Sequence, residues 1–229
     1  MKTVNCGGLW KNSKTHRCVD FTTICPRRRE GKPCAYCYVE TARKNNFNAK
    51  ALIDHVKYDG VIRRLDKVTL DNLRQCGGLR LFSFSDYMPE HDADIKAMLD
   101  DCLRVGLTVK AITKQPAFVR KYHDHPAIGI IHMSVDRVGS GVKHRIAREY
   151  RKKYAKAAVR CVVLNDADLT YFQSKDWIDV ITLNHGANGF KPYRNAVKAS
   201  LAEADPRICC VSGKCISCKL KCRKNVRGS

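Results

Sequence analysis

The sequence predicts an α/β protein built on a parallel sheet. Two observations carry this. Short apolar, β-branched runs recur along the chain, and segments with apolar residues at helical spacing separate them. Strands alternating with helices in this way form βαβ units, which make parallel sheets. The composition, 44% hydrophobic and 28% charged over 229 residues, suits a globular chain with a sizeable core.

In chain order, residues 1–17 carry Gly7, Gly8, Asn12 and Ser13 with no clear period and read as an irregular entry segment. Cys18 to Ile24 (CVDFTTI) is β-branched and aromatic and reads as the first strand. A cysteine-rich loop follows. Tyr38 to Asn45 reads as a helix closed by Asn45–Asn46, and Val61 to Leu73 as a second helical stretch. After Gly77–Gly78 the pattern becomes regular. Leu79 to Phe84 (LRLFSF) is the second strand. Asp92 to Val105 is an amphipathic helix with Ile95, Met98, Leu99, Cys102 and Leu103 on one face, ended by Gly106. Thr108 to Thr113 is the third strand, Ala117 to Tyr122 a short helix, and Ile128 to Val135 the fourth strand. Lys143 to Ala157 is a strongly basic helix. Val159 to Leu164 is the fifth strand, with a short helix near Leu169 to Gln173. Val180 to Leu183 is the sixth strand, and Ala196 to Ala204 the last helix, stopped before Pro206. Six such units are too few for an eight-fold barrel. They fit a partial barrel or a doubly wound sheet, and in both the ligand site lies at the carboxyl ends of the strands.

No apolar run approaches membrane-spanning length, and Met1 to Leu9 has no signal-peptide core, so the expectation is a cytoplasmic protein with no membrane partner. Thirteen cysteines, odd in number and clustered at the two ends, favour metal ligation over disulfides in a reducing compartment. The chain has 43 basic and 22 acidic residues, a net charge of +21. That excess attracts a polyanion, and DNA or RNA is the commonest.

Cys25 to Glu40 reads CPRRREGKPCAYCYVE, with Cys25, Cys34 and Cys37 within thirteen residues. Thiolates bind iron–sulfur clusters or zinc. Three on one loop hold three corners of a cluster and leave one iron open; the alternative is a structural zinc loop closed by a fourth cysteine. Position after the first strand, at the functional end of the sheet, favours the reactive cluster. At the other end, Cys209 to Cys222 reads CCVSGKCISCKLKC. Cys215, Cys218 and Cys222, with Cys210 or Cys209 upstream, supply four ligands for a closed site, either zinc or a second iron–sulfur cluster. From Arg207 onward the chain carries seven Lys or Arg and no acid.

These features resemble the radical SAM superfamily. Cys34-Ala35-Tyr36-Cys37 matches the second half of its three-cysteine motif, aromatic residue included. CAYCY and the FSFSDYMPE stretch are similar to the spore-photoproduct-lyase branch, and the cysteine-rich ends resemble small phage-encoded proteins. The first interval departs from the family: eight residues separate Cys25 from Cys34, which leaves Cys18 as an alternative first ligand. The resemblance implies a partial (β/α)6 TIM-like barrel over residues 18–206, with a Cys-rich C-terminal extension at 207–229. It implies a 4Fe-4S cluster on Cys25, Cys34 and Cys37, and S-adenosylmethionine on its open iron. An electron donor such as flavodoxin or ferredoxin would reduce the cluster, and a 5′-deoxyadenosyl radical would abstract hydrogen from the substrate.

Strand-end residues supply the other candidates. His132, Ser134 and Asp136 share one face of the fourth strand, a polar stripe that suits a cavity lining. By the resemblance, Tyr36, Ser85, Ser134, Asp136 and Asn165 bind the cofactor. Ser83, Asp86, Thr113, Lys114, Asp166, Asn184 and His185 also end strands and equally suit turns and caps. Cys76, Cys102 and Cys161 read as core or near-core residues. Tyr87, Phe190 and Tyr193 lie near strand-end loops, where they suit stacking on an unpaired base. The expectation is a radical SAM enzyme acting on a nucleic acid or nucleotide. The alternative is a non-catalytic nucleic-acid-binding protein with structural zinc or iron–sulfur sites.

Overall fold

The computed structural model describes residues 10–11, 17–19, 30, 65, 67, 70–71, 78–82, 85–137, 141–183 and 193–209. Eight strands among them form one sheet. They are β1 (Trp10–Lys11), β2 (Arg17–Val19), β3 (Leu79–Leu81), β4 (Val109–Thr113), β5 (Ile128–Val135), β6 (Ala157–Val163), β7 (Val180–Leu183) and β8 (Ile208–Cys209). The α-helices whose bounds lie among the described residues are α1 (Asp92–Arg104), α2 (Pro116–Tyr122), α3 (Gly141–Lys153), α4 (Asp166–Gln173) and α5 (Asn195–Ala204).

The strands lie side by side in chain order. β1 is antiparallel to β2, and every pair from β2–β3 to β7–β8 is parallel. A doubly wound sheet reverses its strand order at a switch point; this one does not. With right-handed crossovers, an order that never reverses puts every helix on one face. The sheet therefore curls as a half-barrel, compatible with a partial TIM-like barrel. Strand order thus decides between the two architectures the sequence left open.

The helix-covered face carries the core. Leu79, Leu81, Val109, Ala111, Ile131, Val159, Cys161 and Ile181 are fully buried there. They belong to one cluster with Ile95, Met98, Leu99 and Cys102 of α1 and with Phe118 and Phe172 of α2 and α4. Each large side chain buried this way contributes about 1.5–3 kcal/mol.

Several boundaries differ from expectation. The segment read as irregular holds β1, and the strand expected at Cys18–Ile24 begins at Arg17, its last five residues lying outside the described ones. β3 stops at Leu81 because Phe82 turns to φ 63°, which directs its ring edge-on to Phe118 at 5.0 Å. Gly78, at φ 134°, sits where a Cβ would lie 2.7 Å from the Thr108 carbonyl oxygen, so only glycine fits. The basic helix ends at Lys153, not Ala157. Ala157 and Ala158 pair with Ile131 and His132, so sheet pairing overrides the helical preference of alanine. Ile208–Cys209, within the stretch read as the C-terminal extension, pairs in the sheet beside β7.

Candidate strand-end site and inner sheet face

Side chains alternate across a strand, and register partners share a face. Opposite the core, one row is Arg80–Lys110–Ile130. The next is Ile112–His132–Ala158, and the third Ser134–Arg160–Val180. Thr182 follows on β7. Ile130, Ala158 and Val180 are buried yet stand outside the core cluster, as residues of the second face must. The stripe expected on β5 is thus part of a mixed layer across β3 to β7, in which polar side chains are interspersed with Ile112, Ile130, Ala158, Val162 and Val180.

The layer is cationic. Arg80, Lys110 and Arg160 are half-buried, each in mid-strand. Arg80 and Lys110 are direct partners, on strands about 4.8 Å apart. Unit charges at that spacing repel by about 3 kcal/mol at an effective dielectric of about 20, less as the long side chains splay. Sequence reading missed these three residues. Their signal was present: LRL, VKAIT and VRCVV each set a cation between apolar neighbours, where a buried strand takes aliphatic residues.

At the carboxyl ends, Asp86, Thr113, Lys114 and Asp136 join in a network. The Asp86 carboxylate accepts from the backbone N–H of Tyr87 (2.8 Å) and of Lys114 (2.9 Å), and from the Thr113 hydroxyl. This ties the loop after β3 to the end of β4. Burial pushes the Asp86 carboxyl up, against the three hydrogen bonds that pull it down. The Lys114 ammonium donates to Asp136 Oδ2 at 2.6 Å, joining the ends of β4 and β5. Both side chains are largely covered, at 15% and 19% exposure. His144, on the first turn of α3, pairs through Nε2 with the Asp136 carbonyl oxygen at 2.8 Å, a positioning contact that sequence reading did not anticipate.

Other candidates separate from this group. Ser134 lies half-buried on the inner face, and Ser85 is half-buried one residue before Asp86. Asn165 is exposed and caps α4, its Oδ1 accepting from Asp168 N at 2.9 Å. Tyr87 corrects an expectation. It is buried between Phe118 and Tyr122, with its hydroxyl donating to Asp92 at 2.9 Å, so it offers no face to a base. Tyr193 is half-buried and donates to Asp166 at 3.0 Å. Cys102 and Cys161 are core residues as expected, and burial pushes the Cys161 thiol up to about 12. Tyr36, Cys25, Cys34, Cys37, Cys210, Cys215, Cys218 and Cys222 lie outside the described residues, as do Ser83, Cys76, Asn184, His185 and Phe190. Among the described residues, no group of three or more His, Cys, Asp or Glu is arranged to hold a metal.

Two cations counted toward a polyanion surface serve the fold. Arg151 Nε donates to both oxygens of Asp179, at 2.8 and 2.9 Å. Arg207 is bound to Asp205 and to the carbonyls of Gln173 and Lys175. Lys143, Arg145, Arg148, Lys152 and Lys153 of α3 are exposed.

No protein-family model matches the chain, and no curated protein or solved structure shows a significant match to it.

Proposed function

We propose that this chain is a radical SAM-type enzyme acting on a nucleic acid or nucleotide. The observation that carries the reading is the polar inner face of an unreversed parallel sheet, ending in the Lys114–Asp136 pair. A sheet covered on both faces for stability alone is apolar on both. The cysteine motif Cys25, Cys34, Cys37 supplies the rest of the argument from the sequence.

The strand-end residues fit a zwitterionic cofactor, because they present both signs of charge beside a hydroxyl. Ser85, Ser134 and Asp136 would hold S-adenosylmethionine, while Cys25, Cys34 and Cys37 would hold the cluster. When bound, the cluster supplies the electron that opens the cofactor's sulfonium bond. The chain's own part is positional. Lys114 fixes one oxygen of Asp136, and His144 fixes its backbone carbonyl. The exposed cations of α3 form the outer grip on a phosphate backbone. Among the described residues, no helix is long and apolar enough to cross a membrane.

Anaerobic purification with an iron count, followed by reduction in the presence of S-adenosylmethionine, tests the reading. The expected result is iron bound at the N-terminal loop and release of 5′-deoxyadenosine. Both are lost in Cys34→Ala and in Cys37→Ala. Asp136→Ala keeps the iron but weakens cofactor binding by about 1.5–3 kcal/mol, the worth of a hydrogen bond to a charged group. Zinc without iron, and no cleavage by the wild type, would instead make this a non-catalytic nucleic-acid-binding protein.

A further inference from the structure

The outer side of the helix layer carries its own charge pattern. Arg145, Arg148 and Lys152 of α3 stand at i, i+3 and i+7, an exposed stripe along the helix, with Lys143 and Lys153 exposed towards its two ends. Glu149 is the one acid on the helix, and Asp124, Asp166 and Asp176 are the exposed acids on α2, α4 and the loops after them. Lys152 is engaged within the chain. Lys143, Arg145, Arg148 and Lys153 make no ion pair among the described residues. We infer that this face docks the phosphate backbone of a double-stranded nucleic acid in preference to a single strand.

The aromatic rings decide between the two. Arg148 lies over Trp177 at 6.0 Å and Lys153 over Tyr154 at 5.3 Å, and both aromatic residues are only 9% exposed. Tyr171 is half-buried, with Lys175 over its ring at 4.7 Å and Arg137 at 5.6 Å. The half-buried Tyr150 accepts a hydrogen bond on its hydroxyl from Arg120 at 2.8 Å. A surface built for single strands leaves ring faces open to stack on unpaired bases. This one sets cations over its rings, which hold them in place electrostatically. The helix start adds a second observation. α3 has no acid in its first turn and carries Lys143 there, although the helix dipole favours an anion at that end. An anion docked from outside supplies what the sequence leaves out. α3 is also flanked on both sides, by α2 through Arg120–Tyr150 and by α4 through His144 against Tyr171 and Phe172. A helix so flanked offers its outer stripe to a backbone and does not enter a groove, so its contacts are with phosphates and carry no sequence information. From Lys143 to Lys153 the helix runs about 15 Å, a length that a run of phosphates spans and a mononucleotide does not. The inference rests on the enzyme reading only in making the duplex that enzyme's substrate.

Anisotropy titration of the full chain across a salt series, with no cofactor added, tests it. The probes are a short labelled duplex and each of its strands alone. The expected log–log slope is near −4.5 for the duplex and about −3.5 for either strand, for about five contacts. That difference gives the duplex about a tenfold advantage at about 0.1 M salt. Arg145→Gln/Arg148→Gln is expected to flatten the duplex slope by about 1.8, and Lys143→Gln/Lys153→Gln, an independent pair, by about as much. Lys67→Gln/Lys96→Gln makes the same charge change at exposed sites away from α3 and is expected to flatten it by less than about 0.5. The inference is overturned if the strands bind as tightly as the duplex, or if no probe binds at low salt. It is equally overturned if both α3 pairs fold and leave the slope unchanged, or if the control flattens it as much. Thermal melts establish folding, and either α3 pair alone suffices for the comparison. The titration needs neither iron nor cofactor. Its failure therefore leaves the enzyme reading with a nucleotide or single-stranded substrate, and failure of the enzyme reading leaves the docking face in place.

Discussion

Asp92 shows how one side chain organises its surroundings. It opens α1, where a negative charge meets the helix N-terminus favourably. Its Oδ1 accepts from the hydroxyls of Tyr87 (2.9 Å) and Tyr122 (2.8 Å), and Lys121 binds the other oxygen. Burial alone would raise this carboxyl, but the hydrogen bonds from Lys121, Tyr122 and Tyr87 outweigh it and hold it below the usual range. Burial, together with Asp92, pushes both tyrosine hydroxyls up. The folded value of the Asp92 carboxyl lies below its unfolded one, so between them the unfolded chain binds a proton that the native state refuses. The stabilisation is therefore present above the ordinary aspartate value of about 3.9 and is lost as pH falls through the folded value. Denaturant titrations at descending pH should show the wild type losing more stability than Asp92→Asn over that range. Parallel curves would remove Asp92 from the acid response.

At the scale of the element, α3 has two roles on one helix. Ala147 is buried under it, while Lys143, Arg145, Arg148, Lys152 and Lys153 face water. Arg151 belongs to the inner side. Its guanidinium grips Asp179, whose side chain is 1% exposed and whose Oδ2 also accepts from Val159 N at 2.8 Å. The pair pins the end of α3 to the strand that follows it. Removing the cation strands a buried carboxylate. Arg151→Ala is thus expected to cost about 3–5 kcal/mol. Arg151→Lys recovers only part, since an ammonium cannot pair with both oxygens in a fork. Chemical denaturation of both variants measures this, and a loss below about 1 kcal/mol, typical of exposed pairs, would return Arg151 to the surface set.

Over the whole molecule, the net charge of +21 divides into distinct jobs. Some cations are tied into the fold, such as Arg151 and Arg207. Others line the inner sheet face, and a third group stands exposed on α3. The exposed cations of α3 stand where a long polyanion meets them without entering the fold. DNA or RNA binding is therefore expected to weaken steeply with salt, with a log–log slope near −4 for about five phosphate contacts. Lys143→Glu/Arg145→Glu/Arg148→Glu should flatten that slope by about 2–3 and weaken all sequences alike, because phosphate contacts carry no sequence information. Anisotropy titrations across a salt series read both quantities. A flat salt response in the wild type would remove the polyanion from the outer surface.

The alternation of strand and helix was legible in the residues themselves. β5 and β7 run over Ile128–Val135 and Val180–Leu183 as the sequence predicts, because β-branching and period are local properties. The sharing of one face by His132, Ser134 and Asp136 was legible for the same reason. Strand order was not, nor was the membership of Trp10–Lys11 and Ile208–Cys209 in the sheet, since two- and three-residue strands carry too little pattern to announce themselves. Tyr87 looked available for stacking because it follows a strand end in the sequence, yet Phe118 and Tyr122 reach it from α2. Arg80, Lys110 and Arg160 are separated by 29 and 49 intervening residues, and each stands out only as a cation between apolar neighbours. Only parallel pairing in register sets them on one face, and register is settled by contacts between strands, which no single stretch of chain contains.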